Sequence, residues 1–291
     1  MIIDTHTHVA CGDDPRYPTV ANRSIASRTS DWWRTGGTID ELIDILDAHA
    51  VDKAVVVQAV GAYSYDCTCA AHAVARYPDR TRFVTAIDMQ AADPATTLHD
   101  LLTDPQTGHL ISGVRLFGIG ENKTMWLTDG RAQTVWELAA AHGVTIVPCI
   151  FADRFIEVGE LSQTTPAALV ALDHCGFMDL VEGDSETMLM SLADIPSIHL
   201  KLSSYVLESA ERTHHDPAPL IERIASRFGS DRMCWGSDHP QDQRSDYEGK
   251  LTLARKATRA FSESQRTDFF GATGGRLFFR ESQLHRSFDS A

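Results

Sequence analysis

The chain has 291 residues, 43% of them hydrophobic and 23% charged, an ordinary globular composition that excludes a disordered chain. Its formal net charge of −14 sets a negative field that repels phosphate backbones and anionic lipid, so neither nucleic acid nor a membrane is expected as a partner. No apolar run approaches the roughly 18 residues of a membrane span, and the length suits one α/β barrel of about 250 residues plus loops, so a single domain over 1–291 is expected.

The first predicted strand covers residues 2–8. The opening MIIDTHTH already reads as a strand, with no charged segment and apolar stretch before it, so a cytoplasmic location is expected. Asp4, His6 and His8 alternate, which predicts that all three face one side of the sheet. Polar groups on a barrel's inner face need hydrogen-bond partners or a metal. Two histidines at i and i+2 can converge on one cation, since neutral imidazole suits zinc and related metals. The structural alternative is a hydrogen-bonded histidine pair.

Residues 9–37 form a long connection containing Tyr17, Trp32 and Trp33, and a second, residues 118–129, contains Trp126. In a barrel both lie at the mouth, as a lid over substrate or as loops packed down by their aromatics. Thr38 and Glu41 form a capping box ahead of Ile39, Leu42, Ile43 and Leu46 at helical spacing. Further along, residues 130–142 read as a helix closed by Gly143. Asp216 and Pro217 open another whose stripe, Leu220, Ile221, Ile224 and Phe228, runs up to Gly229.

Further strands are predicted at 53–58, 82–88, 111–117, 144–150, 169–174, 197–203 and 233–238. Eight short β-rich runs alternating with helices define an α/β protein with a parallel sheet, here a (β/α)8 TIM barrel. A doubly wound open sheet competes, but the first strand is followed by THTHVACGDD and not by a G-x-G-x-x-G loop, so dinucleotide binding loses its main support. The six cysteines have neither zinc-finger spacing nor disulfide-framework density, so reduced, mostly buried thiols are expected. Cys67 and Cys69 form C-x-C, with no second pair to complete a metal site.

The remaining candidates sit at strand ends. Gln58 ends strand two, and Tyr63 follows it as a second hydrogen-bonding candidate for substrate. Arg115, in GVRLFG, offers a fork suited to a substrate carboxylate; an ion pair with a buried acid is the alternative. His174 ends strand six and reaches across the mouth to orient water or polarise a carbonyl, while Asp173 before it is expected to face the other way. Lys201 on strand seven is expected inside, binding substrate or neutralising a carboxylate, or pairing with Asp4. Asp238 ends strand eight beside strand one, where it can hold a metal with His6 and His8 and take a proton from attacking water. Its structural alternative is a helix cap.

With DTHTH on strand one, DHCG on strand six, HLKLS on strand seven, WGSDHP on strand eight and the terminal TGGRLFF, the chain resembles the amidohydrolase superfamily over nearly its whole length. Within it the chain is similar to the amidohydrolase-2 branch and to the 2-pyrone-4,6-dicarboxylate and sugar-acid lactonases. The resemblance implies His6 and His8 as strand-one ligands, His174 as the strand-six histidine and Asp238 as the strand-eight acid. The lysine or glutamate that binuclear members carry on strand four is missing, and strand five, VTIVPCIF, has no histidine. At most one divalent metal is therefore expected, with zinc one candidate and a metal-independent reaction the other. The implied function is a hydrolase opening a small carboxylated or sugar-acid lactone. The alternatives are a metal-dependent decarboxylase of carboxylated aromatics, which typically keeps the strand-five histidine, and a non-catalytic binding barrel. A small-molecule substrate is the expected partner, and an oligomer is left open.

Overall fold

The computed structural model describes residues 1–19, 32–34, 36–119, 124–180 and 184–280. Eight strands follow one another in chain order: β1 (Ile3–Thr7), β2 (Lys53–Val57), β3 (Thr81–Ile87), β4 (Ile111–Phe117), β5 (Thr145–Cys149), β6 (Val170–Leu172), β7 (Ile198–Ser203) and β8 (Met233–Gly236). Each pairs in parallel with the next. The ring is completed where the Asp238 N–H donates to the His6 carbonyl at 2.8 Å and the His8 N–H to the His239 carbonyl at 2.7 Å. This is the expected (β/α)8 TIM barrel.

Two apolar layers hold it. Outside, helices cover the strands with residues such as Leu42, Leu46, Trp136, Ile221 and Phe228. Inside, Val55, Val57, Val84, Val147, Ala171 and Cys234 pack against Leu277 and Phe278. The last two come from the helix Thr273–Phe278, the terminal segment picked out in the sequence, whose Leu277 carbonyl accepts from Thr145 Oγ1 at 2.7 Å.

The helix-end signals hold. The Thr38–Glu41 capping box makes both of its bonds at the start of Ile39–Ala48, and Gly143 takes φ +66° after Arg131–His142. The helix Ala218–Phe228 starts just beyond Pro217, with Asp216 accepting the Ala218 N–H at 3.2 Å. Trp32, Trp33 and Trp126 are buried and pack their loops onto the barrel; of the two long connections, residues 20–31, 35 and 120–123 lie outside the described residues.

Four expectations are corrected. Asp4 does not share a face with the histidines: the β1–β2 register shifts between Asp4 and Thr7, and Asp4 accepts from Tyr247 Oη at 2.9 Å and from the Ser237 N–H at 2.9 Å. Lys201 accordingly pairs with Asp173 and not with Asp4. Cys11 and Cys69 form a disulfide, because the fold brings the loop after β1 against the helix Thr68–Val74 after β2. Cys67, Cys149, Cys175 and Cys234 are free and buried as expected. Finally, β6 ends at Leu172, two residues early, and this governs where Asp173 and His174 point.

Candidate active site

At the C-terminal mouth of the barrel, His8 Nδ1 lies 2.8 Å from the Val57 carbonyl oxygen. A carbonyl only accepts, so Nδ1 carries a proton, and in the neutral tautomer Nε2 then keeps its lone pair. That lone pair faces Asp238 Oδ1 at 3.2 Å. His6 Nε2 lies 3.7 Å from the same oxygen. All three atoms are buried, and none completes a hydrogen bond among the described residues. Three buried lone-pair donors converging in this way call for a cation between them.

The donor set fits a divalent metal. His6, His8 and Asp238 each offer one ligand atom within the span of a single ion, and the edges of a tetrahedron with bonds of about 2.0–2.1 Å are about 3.3 Å long. Burial pushes His6 well below the ordinary histidine value, with Lys201 adding to the shift, so its imidazole is neutral, as a ligand must be. Burial works to raise the Asp238 carboxyl, yet the imidazoles of His8, His174 and His6 hold it below the usual carboxylate range. One glycine makes the approach possible: a Cβ at Gly236, in the WGSD motif, would lie 2.6 Å from His6 Cβ.

Behind His6 lies a fully buried ion cluster. Asp173 Oδ1 is 3.1 Å from His6 Nδ1 and 2.8 Å from Lys201 Nζ, while Oδ2 accepts from Arg115 Nε at 2.8 Å. Burial alone would raise Asp173, but Lys201, His6 and Arg115 together hold it well below the carboxylate range. Lys201 Nζ also lies 2.9 Å from His6 Nδ1, so Asp173 and Lys201 together fix the position of the ring whose Nε2 faces Asp238. Asp173 thus faces inward, against expectation. It continues the inward alternation of Ala171, whereas the backbone of His174 turns left-handed at φ +52° and brings the next side chain to the mouth as well.

His174 is where the sequence puts it, beside His6 with ring centroids 4.7 Å apart and Nδ1 2.7 Å from Ser203 Oγ. Burial pushes it below the ordinary histidine value. Asp238 does not cap a helix; it takes φ +55° just past β8. Arg115 is buried against Asp173, the ion-pair alternative, with NH1 3.4 Å from the Gln58 carbonyl oxygen and NH2 3.3 Å from Cys149 Sγ. Gln58 uses its side-chain amide on the carbonyls of Ser64 and Asp66 at 3.0 and 2.9 Å. Tyr63 Oη accepts from the Cys11 N–H at 2.9 Å and is buried beside the disulfide. Both therefore brace the loop after β2. Asp173 and Ser203 were missed as site residues, although Gly176, two residues past His174, is the one signal of a turn there.

A closed parallel barrel with two strand-one histidines and a strand-eight aspartate converging at its mouth defines a barrel enzyme with a candidate metal centre. The chain belongs to the amidohydrolase family: the profile described as Amidohydrolase matches residues 3–280. It is 23% identical over 171 residues to an L-fucono-1,5-lactonase of Burkholderia ambifaria, a match covering 55% of this chain and 57% of the relative, so the chain spans little more than half the length of that curated relative. Among solved structures it is similar to an amidohydrolase of Burkholderia multivorans with bound zinc (20% identity, TM-score 0.76, 97% of this chain and all of that one). A probable 2-pyrone-4,6-dicarboxylic acid hydrolase of Acinetobacter baumannii with bound citric acid is similar at 19% identity and TM-score 0.74, over 96% and 99% of the chains. A 2,6-dihydroxybenzoate decarboxylase of Rhizobium shares the fold at 13% identity and TM-score 0.66, over 96% and 98%.

Proposed function

We propose that the protein hydrolyses a small lactone bearing a carboxylate or several hydroxyls, at the site formed by His6, His8, His174 and Asp238. The observation that carries this reading is the convergence of His8 Nε2, His6 Nε2 and Asp238 Oδ1 on one point at the mouth. His6, His8 and Asp238 would hold one divalent ion there, zinc fitting the nitrogen and oxygen donors. When bound it lowers the pKa of water and polarises a carbonyl.

The chain's own groups divide the remaining work. Asp238, held ionised, accepts the proton of the attacking water as the new C–O bond forms at the lactone carbonyl carbon, and returns it to the ring oxygen as the ring C–O bond breaks. His174, oriented by Ser203, supports the developing oxyanion. Arg115, with Nε on Asp173, NH1 on the Gln58 carbonyl and NH2 on Cys149 Sγ, holds Asp173 in place as a positioning residue. Lys201 and Asp173 hold His6 in register as positioning residues. The relatives named for lactone hydrolysis support the same reading.

The test is a panel of carboxylated and sugar-acid lactones assayed for acid release, alongside hydroxylated aromatic acids assayed for carbon dioxide. Ring opening without carbon dioxide supports the reading; activity confined to carbon dioxide release replaces it with decarboxylation.

A further inference from the structure

Lys250, on the helix Tyr247–Ala257 that follows β8, is fully buried and takes no part in the chemistry proposed for the mouth. Its ammonium lies 3.9 Å from Asp242 Oδ2, but that carboxylate is engaged by Arg244 at 2.8 and 2.6 Å. Lys250 Nζ donates instead to two backbone carbonyls, that of Ser237 at 3.1 Å and that of Asp242. Taking an ammonium out of water is costly, and the loss is offset only where its acceptors are held in good geometry. The ammonium and the two carbonyls therefore fix one another.

Those carbonyls bracket Asp238. The Asp242 N–H donates to the Asp238 carbonyl at 2.8 Å, closing a turn whose two ends, Ser237 and Asp242, are fastened to one ammonium. Within it Asp238 holds φ at +55°, a left-handed conformation that L-residues keep only where their surroundings impose it. Each backbone group of Ser237 and Asp238 is engaged. The Ser237 N–H goes to Asp4 Oδ1, the Asp238 N–H to the His6 carbonyl and the Asp238 carbonyl to Asp242. These three partners belong to β1 or to the turn itself; the fourth, on the Ser237 carbonyl, is Lys250. The same helix also reaches β1. Tyr247, three residues before Lys250 and so on the same helix face, donates to Asp4 Oδ2 at 2.9 Å, and Asp4 Oδ1 accepts from the His6 N–H at 3.1 Å.

We infer that Lys250 is a positioning residue for the candidate metal centre: its ammonium holds closed the turn that aims Asp238 Oδ1 at the Nε2 atoms of His6 and His8. This rests on the centre proposed above but not on lactone hydrolysis. Without the ammonium the two ends of the turn separate, Asp238 relaxes out of the left-handed region, and its oxygen no longer converges with the two imidazoles.

The test is zinc affinity, measured on the full-length protein by competition with a chromophoric chelator, which needs no turnover. Lys250→Met keeps the length of the side chain and removes its donors. We expect it to bind zinc at least about tenfold more weakly, the loss produced by removing groups that orient metal ligands, with secondary structure intact by circular dichroism. Ile224→Ala, in the apolar layer outside the barrel, lowers stability away from the mouth and should bind zinc within about twofold of the wild type. Folded Lys250→Met that binds zinc like the wild type, or loses no more affinity than Ile224→Ala, would overturn the inference. Should Lys250→Met not fold, Lys250→Gln, which keeps a donor without the charge or the reach, is held to the same two criteria. A wild type that binds no zinc removes the centre and this inference together. Zinc binding that depends on Lys250 while no lactone in the panel is opened means that the reaction is wrong and the positioning role stands.

Discussion

His8 Nε2 and Asp238 Oδ1 face each other at 3.2 Å with a lone pair on each side. The Val57 carbonyl accepts from Nδ1 at 2.8 Å and so turns Nε2 towards Asp238. Replacing His8 with Ala removes one of three convergent donors, and metal titration of purified protein should show affinity lower by at least about 100-fold. Unchanged metal affinity in His8→Ala would remove this centre as the metal site.

Among the described residues, Asp173 is the one acid paired with both Arg115 Nε and Lys201 Nζ, each at 2.8 Å. Asp173→Asn leaves two buried cations without their countercharge. Such losses cost about 3–5 kcal/mol, which urea unfolding should register as a lower midpoint. A midpoint within experimental error of the wild type would mean that the cations find other partners.

The barrel was legible because its signals are local: eight β-rich runs, a capping box at Thr38, Gly143 at a helix end. His6, His8, His174 and Asp238 were legible because each ends or flanks a strand at the mouth. What escaped depends on non-local geometry. Strand alternation misplaced Asp4 because a register shift intervenes between Asp4 and Thr7, and misplaced Asp173 because the backbone turns left-handed at His174, so that both side chains face the mouth. Arg115 and Lys201 read as separate substrate-binding candidates, and only the closed barrel brings both onto Asp173. The Cys11–Cys69 pair was equally hidden, joining residues 58 apart in sequence from two different loops.

That disulfide ties the loop after β1 to the helix after β2, next to Trp32, whose ring centroid lies 6.1 Å from that of His8. On the chain-entropy account, closing a loop of this length contributes up to about 4 kcal/mol. Cys11→Ser should lower the thermal midpoint by several degrees under oxidising conditions and not under reducing ones. Equal midpoints of wild type and variant in both conditions would show that the crosslink adds no stability.

Acid should weaken the fold before its carboxylates titrate. Burial pushes His199 below 6.5, and burial together with Lys250 pushes His239 down to about 4. Below pH 6.5 the unfolded chain therefore binds more protons than the folded one. The stability these residues contribute is fully present above 6.5 and is lost as pH falls through the folded value, at up to about 1.4 kcal/mol per pH unit for each group. Thermal midpoints measured from pH 7 to 4.5 should fall, and His199→Gln should flatten the slope. A flat profile above pH 4.5 contradicts the assignment.

The central claim is that Asp238 activates water at this mouth, and turnover of Asp238→Asn on the best lactone of the panel tests it most directly. The substitution keeps the size of the side chain while removing its charge and basicity. We predict a loss of at least about 1,000-fold in kcat with the fold intact by circular dichroism; turnover within a few-fold of the wild type would contradict the account.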